Sequence, residues 1–374
     1  MDFAKLRNCL DDVLRECHTP SVDCIIYKDH QPLFRYFAGL SDIENQTPIN
    51  GDELYMIFSM TKMVTCTAAL QLFEQGKYAM EDEVATYIPA FKQMKIATGG
   101  YAQNPIRIVD LFTMRGGLDY DLNDSSIRAA LEAGKRSTMD LVEAMAGKTL
   151  GFEPGTRFRY SLCHDVLGAL VEVWSGERLG DYMESHIFRP IGMNSTHFGL
   201  PQGESLSRLA ARYSYIDGKP QRQGMECVYN ITDEYQSGGA GLCSCTADYA
   251  MFLDTLACGG VAKNGARILR EDTVALMQTN HLEGQALEDF HELRTGYGYG
   301  LGVRTHMDKQ VSGSISPVGE FGWDGAAGGF SMVDTKNKLS LTYFQHSHSW
   351  SVEMQVKMRN ALYSCFEENE ISLE

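Results

Sequence analysis

The sequence predicts an α/β (α+β) protein in which both chain ends build one antiparallel sheet and the middle forms a mostly helical lobe. Three observations lead to this prediction. Runs rich in β-branched and aromatic residues occur near both ends, at 22–28, 33–38, 320–334 and 338–346. Between them, apolar residues recur at helical spacing. Helical patterns at the two termini can cover the faces of the sheet.

The first element is an amphipathic helix, because Phe3, Leu6, Leu10 and Val13 fall on one face. Residues 29–32 then separate the first two predicted strands, as in a hairpin. The carboxyl end repeats this arrangement. Residues 335–337 join the last two predicted strands, and a closing helix is expected from about Ser351. The chain ends therefore predict a sheet with helices packed on it.

The middle of the chain predicts a series of helices separated by loops rich in Gly, Pro and Asn. Their expected bounds are 61–75, 106–114, 138–146, 163–175, 179–187 and 246–257. We expect residues 1–58 and 240–374 to form the sheet domain, and residues 59–239 the helical domain. A cleft between two such units is the usual place for an active site.

Charge and composition exclude several classes of function. The chain carries 33 Lys and Arg against 49 Asp and Glu, so its formal net charge is −16. This balance argues against binding nucleic acid or an anionic membrane surface. No apolar run reaches the roughly 18 residues that a membrane span needs. The sequence leaves the oligomeric state open.

The amino terminus has neither the positive start nor the uninterrupted apolar stretch of a secretory signal. With no signal, the ten scattered cysteines are expected to be reduced thiols in a cytoplasmic protein. A signal cleaved before this sequence would change that expectation.

No metal or organic cofactor is expected. Cys243 and Cys245 are too close in sequence for the usual CxxC spacing of zinc or redox sites. His346 and His348 have no acidic or cysteine partner nearby in sequence, and we expect them to be surface residues at a strand end.

Ser59 and Lys62 are the candidate nucleophile and base. Residues three apart share a helix face, so the Lys62 ammonium can reach the Ser59 hydroxyl. Ser59 is expected at a helix amino terminus, which favours a developing oxyanion. A serine needs a base to take its proton, and a lysine serves only if burial or nearby charge lowers its pKa. By itself the pair is weak evidence, since a serine that caps a helix before a surface lysine looks the same.

Further segments in the same order carry a resemblance to a known family. They are YMIFSMTK at 55–62, LFEQGK at 72–77, DLFTMRGGL at 110–118, EPGTRFRYS at 153–161, SGGAGL at 237–242 and FGWDGAAGGF at 321–330. Together they resemble the serine β-lactamase and penicillin-binding-protein superfamily, in its class C-like and esterase-like branch. The resemblance covers nearly the whole chain and implies the β-lactamase/transpeptidase-like fold.

The resemblance assigns two further roles. Tyr160 is placed in the proton relay with Lys62, whereas without the family it reads as a core tyrosine at the start of a helix. The backbone N–H groups of Ser59 and Ala326 are placed in the oxyanion hole. Gly325 is expected to let the backbone approach the substrate closely, although the segment also reads as an edge strand with a glycine bulge.

Two motifs depart from the family pattern. Leu162 stands where β-lactamases have an asparagine that holds the substrate's amide side chain, and leucine makes no such hydrogen bond. Trp323 and Asp324 replace the cationic start of the Lys-Thr-Gly motif, which removes a carboxylate anchor and adds a repulsive charge. We therefore expect Trp323, Asp324, Gly325 and Leu162 to contact the substrate, with Trp323 and Leu162 lining an apolar pocket.

The resulting hypothesis is a serine hydrolase that acts through an acyl-enzyme on carboxylic esters of small molecules. Its expected partner is a small-molecule ester or amide substrate. One alternative is a β-lactamase or D-amino-acid peptidase or amidase, which the two altered motifs disfavour. The second alternative is a non-catalytic relative used for binding or assembly, which has no need of Ser59, Lys62 and Tyr160 together.

Overall fold

The computed structural model describes residues 2–225, 229–349 and 351–368. Cys227 lies outside these ranges. The strands within them are β1 Ser21–Lys28, β2 Gln31–Asp42, β3 Thr47–Pro48, β4 Leu54–Met56, β5 Lys95–Ile96, β6 Thr149–Leu150, β7 His197–Phe198, β8 Tyr213–Ile216, β9 Lys219–Arg222, β10 Leu242–Cys245, β11 Tyr297–Tyr299, β12 Arg304–His306, β13 Phe321–Gly322, β14 Phe330–Asp334 and β15 Leu339–Phe344.

Most strands near the chain ends join one antiparallel sheet, in the order β11-β12-β13-β14-β15-β1-β2-β3. Strand β1 pairs with β15, with Ile26 opposite Leu341, so the two ends of the chain meet at the centre of the sheet. The predicted fold class, an antiparallel sheet built from both ends and flanked by helices, is confirmed. The predicted division at residues 58 and 240 stays a prediction.

The α-helices within the described ranges are α1 Ala4–Glu16, α2 Thr61–Glu74, α3 Val84–Tyr87, α4 Ile108–Phe112, α5 Ser125–Glu132, α6 Thr138–Met145, α7 Cys163–Ser175, α8 Leu179–Met183, α9 Arg189–Ile191, α10 Thr246–Ala257, α11 Glu271–Gln278, α12 Gly284–His291, α13 Lys309–Ser312 and α14 Val352–Glu368. Short 3₁₀ helices occupy Phe58–Met60, Pro89–Lys92 and Gly203–Arg208, and a π-helical turn occupies Glu184–Phe188. No described helix is long and apolar enough to cross a membrane.

The two terminal helices lie together on one face of the sheet instead of covering both faces. Leu6 of α1 and Leu362 of α14 share one apolar cluster with Ile26 and Leu341. Helix α10 packs across the opposite face, where its Tyr249 meets the ring of Phe344 on β15. Side chains alternate between the two faces of a strand, so the same strands can bury both sides. The second, larger core cluster continues from α10 into the helical part of the chain.

The strand predicted at 320–334 is in fact two strands. Strands β13 and β14 pair antiparallel, and residues 323–329 form the connection between them. This segment contains three of the four glycines in the FGWDGAAGGF motif, which favour a tight reversal over a continuous strand. The reversal places Trp323 to Gly329 next to the chain that leads into α2.

Candidate active site

Ser59 lies at the junction between a short sheet and the longest helix of the middle segment. Strand β4 pairs with β10 and ends at Met56, after which the 3₁₀ turn Phe58–Met60 runs directly into α2. Phe58 has a φ of 45°, in the left-handed region that non-glycine residues seldom adopt, and its side chain is buried beside Ala327. Backbone strain held by packing next to a reactive residue is typical of active sites. Ser59 itself keeps part of its surface exposed.

The structure brings Lys62 to Ser59 as the spacing predicted. The Lys62 side chain is fully buried, and its Nζ lies 3.3 Å from the Ser59 Oγ. The same nitrogen donates to the hydroxyl of Tyr120 at 2.9 Å and to the carbonyl oxygen of Gly239 at 2.7 Å. Two fixed acceptors therefore hold the amine beside the serine.

Burial lowers the pKa of Lys62 to about 7, because the charged form loses its hydration. The carboxylate of Asp165 is the largest opposing influence and favours the charged form. Near neutral pH a substantial fraction of Lys62 is thus the free amine. An amine with this pKa is suited to take a proton from Ser59 and to return it later.

Tyr160 lies against the same pair, but its contact with Lys62 is through the ring. The Lys62 Nζ is 4.6 Å from the Tyr160 ring centroid, and the indole N–H of Trp323 donates to the phenol oxygen at 3.1 Å. Burial raises the pKa of Tyr160 well above its usual 10, against the effect of hydrogen bonds with Ser59 and Trp323. The phenol therefore stays protonated at neutral pH, which leaves Lys62 as the stronger candidate for the base.

Tyr120 and Asp165 are site residues that the sequence reasoning missed. The Tyr120 ring stacks on Tyr160 with centroids 5.6 Å apart. Asp165 is buried on α7 and accepts hydrogen bonds from Tyr235 at 2.7 Å and Ser237 at 2.6 Å. A signal was present in the sequence, since Tyr120 lies two residues after the 110–118 segment and Asp165 lies five residues after Tyr160. Neither position could be joined to Lys62 without the tertiary structure.

Gly239 has a steric role in this arrangement. A Cβ at this position would lie 2.6 Å from the Asp165 Oδ2 and 3.3 Å from the Lys62 Nζ. Only glycine lets the backbone come near enough for its carbonyl to accept a hydrogen bond from Lys62 without displacing the Asp165 carboxylate.

The glycine-rich turn packs on the segment that leads to the nucleophile. A Cβ on Gly325 would lie 2.4 Å from the carbonyl oxygen of Ile57, two residues before Ser59. The close approach expected of Gly325 is therefore to the protein's own backbone. The next residue, Ala326, keeps part of its surface exposed on this turn. Its N–H stays a prediction for the oxyanion hole, together with that of Ser59.

Two of the residues predicted to contact the substrate, Leu162 and Asp324, are buried in the structure. Leu162 is completely buried in the core at the start of α7, so it offers no surface to a substrate. Asp324 is also buried, and its carboxylate is bound by Arg294 and by Gln355 at 2.9 Å. Because Arg294 neutralises it, Asp324 does not present the repulsive charge expected from the sequence.

Trp323 is placed beside the site, where its ring stacks on Tyr160 at 5.6 Å. On the other side, the Tyr229 ring meets Tyr120 edge-on at 5.6 Å and Phe58 at 6.0 Å. Aromatic rings thus surround Ser59, and they provide an apolar wall with phenol groups at fixed points.

The two histidines considered for a metal differ in exposure. His346 is fully buried, contrary to the surface position expected, and its Nδ1 lies 2.8 Å from the carbonyl oxygen of Ala210. His348 is exposed and lies near Phe58, with ring centroids 6.1 Å apart.

A partly exposed serine, a buried amine of lowered pKa and a neutral phenol, set on this fold, define a serine hydrolase. The sequence model of the Beta-lactamase family matches residues 6–363, and the chain belongs to that family. This confirms the resemblance and the enzyme class inferred from the sequence.

Relatives cover most of the chain. Protein Rv1367c of Mycobacterium tuberculosis is 30% identical over 335 residues, 84% of this chain and 83% of that protein. Esterase EstB of Burkholderia gladioli is 26% identical over 393 residues, 96% of this chain and 95% of its own. The solved structure of EstCE1, described as a hydrolase with promiscuous acyltransferase activity, superposes with a TM-score of 0.83 at 24% identity. The superposition covers 96% of this chain and 98% of EstCE1.

Proposed function

We propose that this protein hydrolyses carboxylic esters of small molecules through an acyl-enzyme formed on Ser59. One observation carries the preference for esters. The third motif presents the indole of Trp323 to Tyr160, and the guanidinium beside that indole, Arg294, is bound by Asp324 and Gln355. A substrate carboxylate, which β-lactams and D-peptides carry, finds no free cation at this motif. An uncharged ester needs none.

The first half of the reaction uses the free amine of Lys62. It takes the proton of the Ser59 hydroxyl as the Oγ attacks the ester carbonyl, and the carbonyl π electrons move onto the oxygen. The N–H groups of Ser59 and Ala326 stabilise this oxyanion, a contribution of about 2.7–4 kcal/mol for each donor. When the tetrahedral intermediate collapses, the C–O bond to the alcohol breaks. The Lys62 ammonium returns the proton to the leaving alkoxide, with the Tyr160 phenol as relay.

The second half repeats these steps with water. Lys62 is again the free amine and takes a proton from a water molecule as its oxygen attacks the acyl carbon. Collapse of the second intermediate breaks the bond to Ser59 Oγ, and the proton on Lys62 restores the serine hydroxyl. The product is a carboxylic acid, and no metal or organic cofactor takes part.

The relatives support both the proposal and its main alternative. EstB is named an esterase, and a further relative in Escherichia coli is named a putative D-alanyl-D-alanine carboxypeptidase, 28% identical over 86% of this chain and 77% of its own. The deciding experiment compares turnover of p-nitrophenyl esters of short and long acyl chains with that of nitrocefin and of D-alanyl peptides. We expect measurable kcat/KM for the esters and far lower values for the others. Faster turnover of nitrocefin or of the D-peptides would overturn the ester preference.

Labelling with a fluorophosphonate probe tests the nucleophile and the non-catalytic alternative together. We expect the native protein and a Ser207→Ala control, at an exposed serine, to label equally, and Ser59→Ala not to label. Equal labelling of native protein and Ser59→Ala would show that Ser59 is not the nucleophile.

A reducing, cytoplasmic location is part of the proposal. It is supported by the nine described cysteines, none of which forms a disulfide and six of which are buried in apolar clusters. Thiol titration of unfolded protein purified without reductant is expected to find all ten cysteines reactive. A lower number would argue for disulfides and against this location.

A further inference from the structure

Three side chains with metal-binding atoms meet on the α10 face of the main sheet, and none belongs to the site around Ser59. His30 comes from the turn between β1 and β2, and Asp254 and Cys258 come from the end of α10. One ligand atom from each lies within 4.8 Å of the other two. Because the histidine and the helix are 224 residues apart in sequence, no motif could have indicated this cluster.

The contacts within the cluster converge on Asp254. The His30 Nδ1 lies 2.8 Å from the Asp254 Oδ2, and the Cys258 Sγ lies 3.9 Å from the Asp254 Oδ1. The backbone N–H of His30 also donates to the Asp254 Oδ1 at 3.1 Å. Asp254 and Cys258 are one helical turn apart and share a helix face, so α10 presents both donors to the same point.

Two features hold the histidine in place. His30 and its neighbour Asp29 have φ values of 65° and 47°, so the turn is in the left-handed region at two non-glycine residues. Asp29 is itself bound by Lys338 at 3.0 Å, which ties the turn to the β14–β15 hairpin. The conformation of the turn and the contact between Asp29 and Lys338 therefore hold the His30 imidazole next to α10.

We propose that His30, Asp254 and Cys258 form a binding site for a thiophilic divalent transition metal, of which Zn²⁺ is the best match. An imidazole nitrogen, a carboxylate oxygen and a thiolate sulfur are all ligands of zinc, and the mixed set disfavours Mg²⁺ and Ca²⁺. Bond lengths of 2.0–2.3 Å in a tetrahedron place ligand atoms about 3.3–3.8 Å apart. The present separations need only side-chain adjustments to reach that geometry.

Charge and access favour the same conclusion. A bound metal displaces the proton of the Cys258 thiol, and the resulting thiolate and the Asp254 carboxylate together balance the two positive charges of a divalent cation. Asp254 is 3% exposed, whereas His30 and Cys258 keep more of their surface. A surface cavity of about 530 Å³ is lined by Cys258 and Lys338, and it gives an ion and a fourth ligand, water, a path to the sulfur.

A metal held here would join the β1–β2 turn to α10, two elements that pack on the same sheet. Its role is structural: binding to the folded state alone stabilises that state by mass action. The proposed hydrolysis at Ser59 uses no metal, and the proposed site departs from the expectation, drawn from the sequence, that the protein binds none.

Titration of the full-length, chelator-treated protein with Co²⁺ tests the proposal, because cobalt reports thiolate ligation by a sulfur-to-metal charge-transfer absorption. We expect one Co²⁺ per chain, the charge-transfer band, displacement by Zn²⁺ and a higher Tm with Zn²⁺ than without. Cys258→Ser is expected to lose the band, and both it and His30→Gln are expected to weaken binding by about 10-fold or more.

Matched controls separate this site from adventitious binding. Cys17→Ser removes a half-buried thiol just after α1, and His186→Gln breaks the surface pair in which the His186 Nε2 lies 3.2 Å from Glu177. Both are expected to bind Co²⁺ as the native protein does. Circular dichroism shows whether each variant is folded. If Cys258→Ser does not fold, the affinity of His30→Gln for Co²⁺ provides the test. Absence of the charge-transfer band in the native protein would overturn the proposal. So would a Co²⁺ affinity of folded Cys258→Ser and His30→Gln that equals that of the native protein.

Discussion

The Nζ atom of Lys62 lies 2.9 Å from the hydroxyl oxygen of Tyr120, closer than the 3.3 Å that separates it from the hydroxyl oxygen of Ser59. Lys62 is therefore held by groups outside the Ser-x-x-Lys tetrapeptide. Tyr120 and the carbonyl of Gly239 fix the amine, and burial sets its charge. The predictions below test each of these contributions.

The first prediction concerns the pH dependence of ester hydrolysis. Because burial lowers the pKa of Lys62 to about 7, kcat/KM is expected to rise with pH through an apparent pKa near that value. Lys62→Arg keeps a cation that cannot lose its proton, so we expect a loss of about 10²-fold or more at every pH below 9. Lys77→Arg, at an exposed position, is the control and is expected to retain the native profile. A flat native profile between pH 5 and 9 would contradict Lys62 as the base.

The second prediction concerns stability. The folded protein releases the Lys62 proton near pH 7, whereas the unfolded chain keeps it until the usual 10.5, so the unfolded state binds more protons between these values. The free energy of unfolding of the native protein should therefore rise relative to that of Lys62→Met as pH increases from 7 to 10, by at most about 1.4 kcal/mol per pH unit. Urea unfolding of both proteins at several pH values measures the difference. A pH-independent difference would show that the pKa of Lys62 is not lowered by folding.

The third prediction distinguishes the role of Tyr160 in proton transfer from the role of Tyr120 in holding Lys62. Tyr160→Phe removes the phenol that lies between Ser59 and Trp323, and we expect kcat to fall about 10²–10⁴-fold with little change in KM. Tyr120→Phe removes only an acceptor for Lys62, so a smaller loss and a displaced pH profile are expected. Tyr101→Phe, which alters an exposed ring, should have no effect. Equal losses with unchanged pH profiles would assign both tyrosines the same role.

The fourth prediction concerns Asp165, whose carboxylate favours the charged form of Lys62. Asp165→Asn should lower the pKa of Lys62 further and move the rising limb of the pH–kcat/KM profile to lower pH by about one unit. Asp181→Asn, on the exposed side of α8, is the control. An unchanged profile in a folded variant would show that Asp165 acts only through its hydrogen bonds with Tyr235 and Ser237. A shift to higher pH would contradict the charge effect itself.

The other titratable groups near Lys62 do not replace the negative charge that is lost in Asp165→Asn. Asp324 is neutralised by Arg294. Burial raises the pKa of Cys163 to about 11 and that of Cys66 further, so both thiols stay neutral. Burial likewise lowers the pKa of His164 to about 3, which leaves the imidazole uncharged. Asp165 is accordingly the group whose removal changes the charge around the amine.

The fifth prediction concerns the turn that carries Ala326. In Gly325→Ala the new Cβ meets the carbonyl oxygen of Ile57 at 2.4 Å, so the turn must move away from Ser59. We expect a loss of about 1–3 kcal/mol in the free energy of unfolding and a lower kcat, since the proposed oxyanion donor moves with the turn. Gly224→Ala, where a Cβ has open space, is the control. Native kcat in Gly325→Ala would remove Ala326 from the oxyanion hole.

The sequence by itself determined the fold class, the family and the position of Ser59 and Lys62. Strand and helix periods are local, and residues three apart on a helix must share a face, so these features follow from short stretches of chain. The ordered motifs added Tyr160 and the aromatic residue Trp323. Local patterns predicted the third motif less well, because its glycines form a reversal that divides the strand predicted at 320–334 into β13 and β14.

Only the tertiary structure decided which groups control Lys62 and which face the substrate. Tyr120, Asp165 and Gly239 are 58, 103 and 177 residues from Lys62 in sequence, and their approach depends on how α2, α7 and the segment before β10 pack together. The same packing buried Leu162 and paired Asp324 with Arg294, against expectation. The pKa of a lysine is set by burial and by charges brought near it through folding, and neither quantity is encoded in the spacing of a motif.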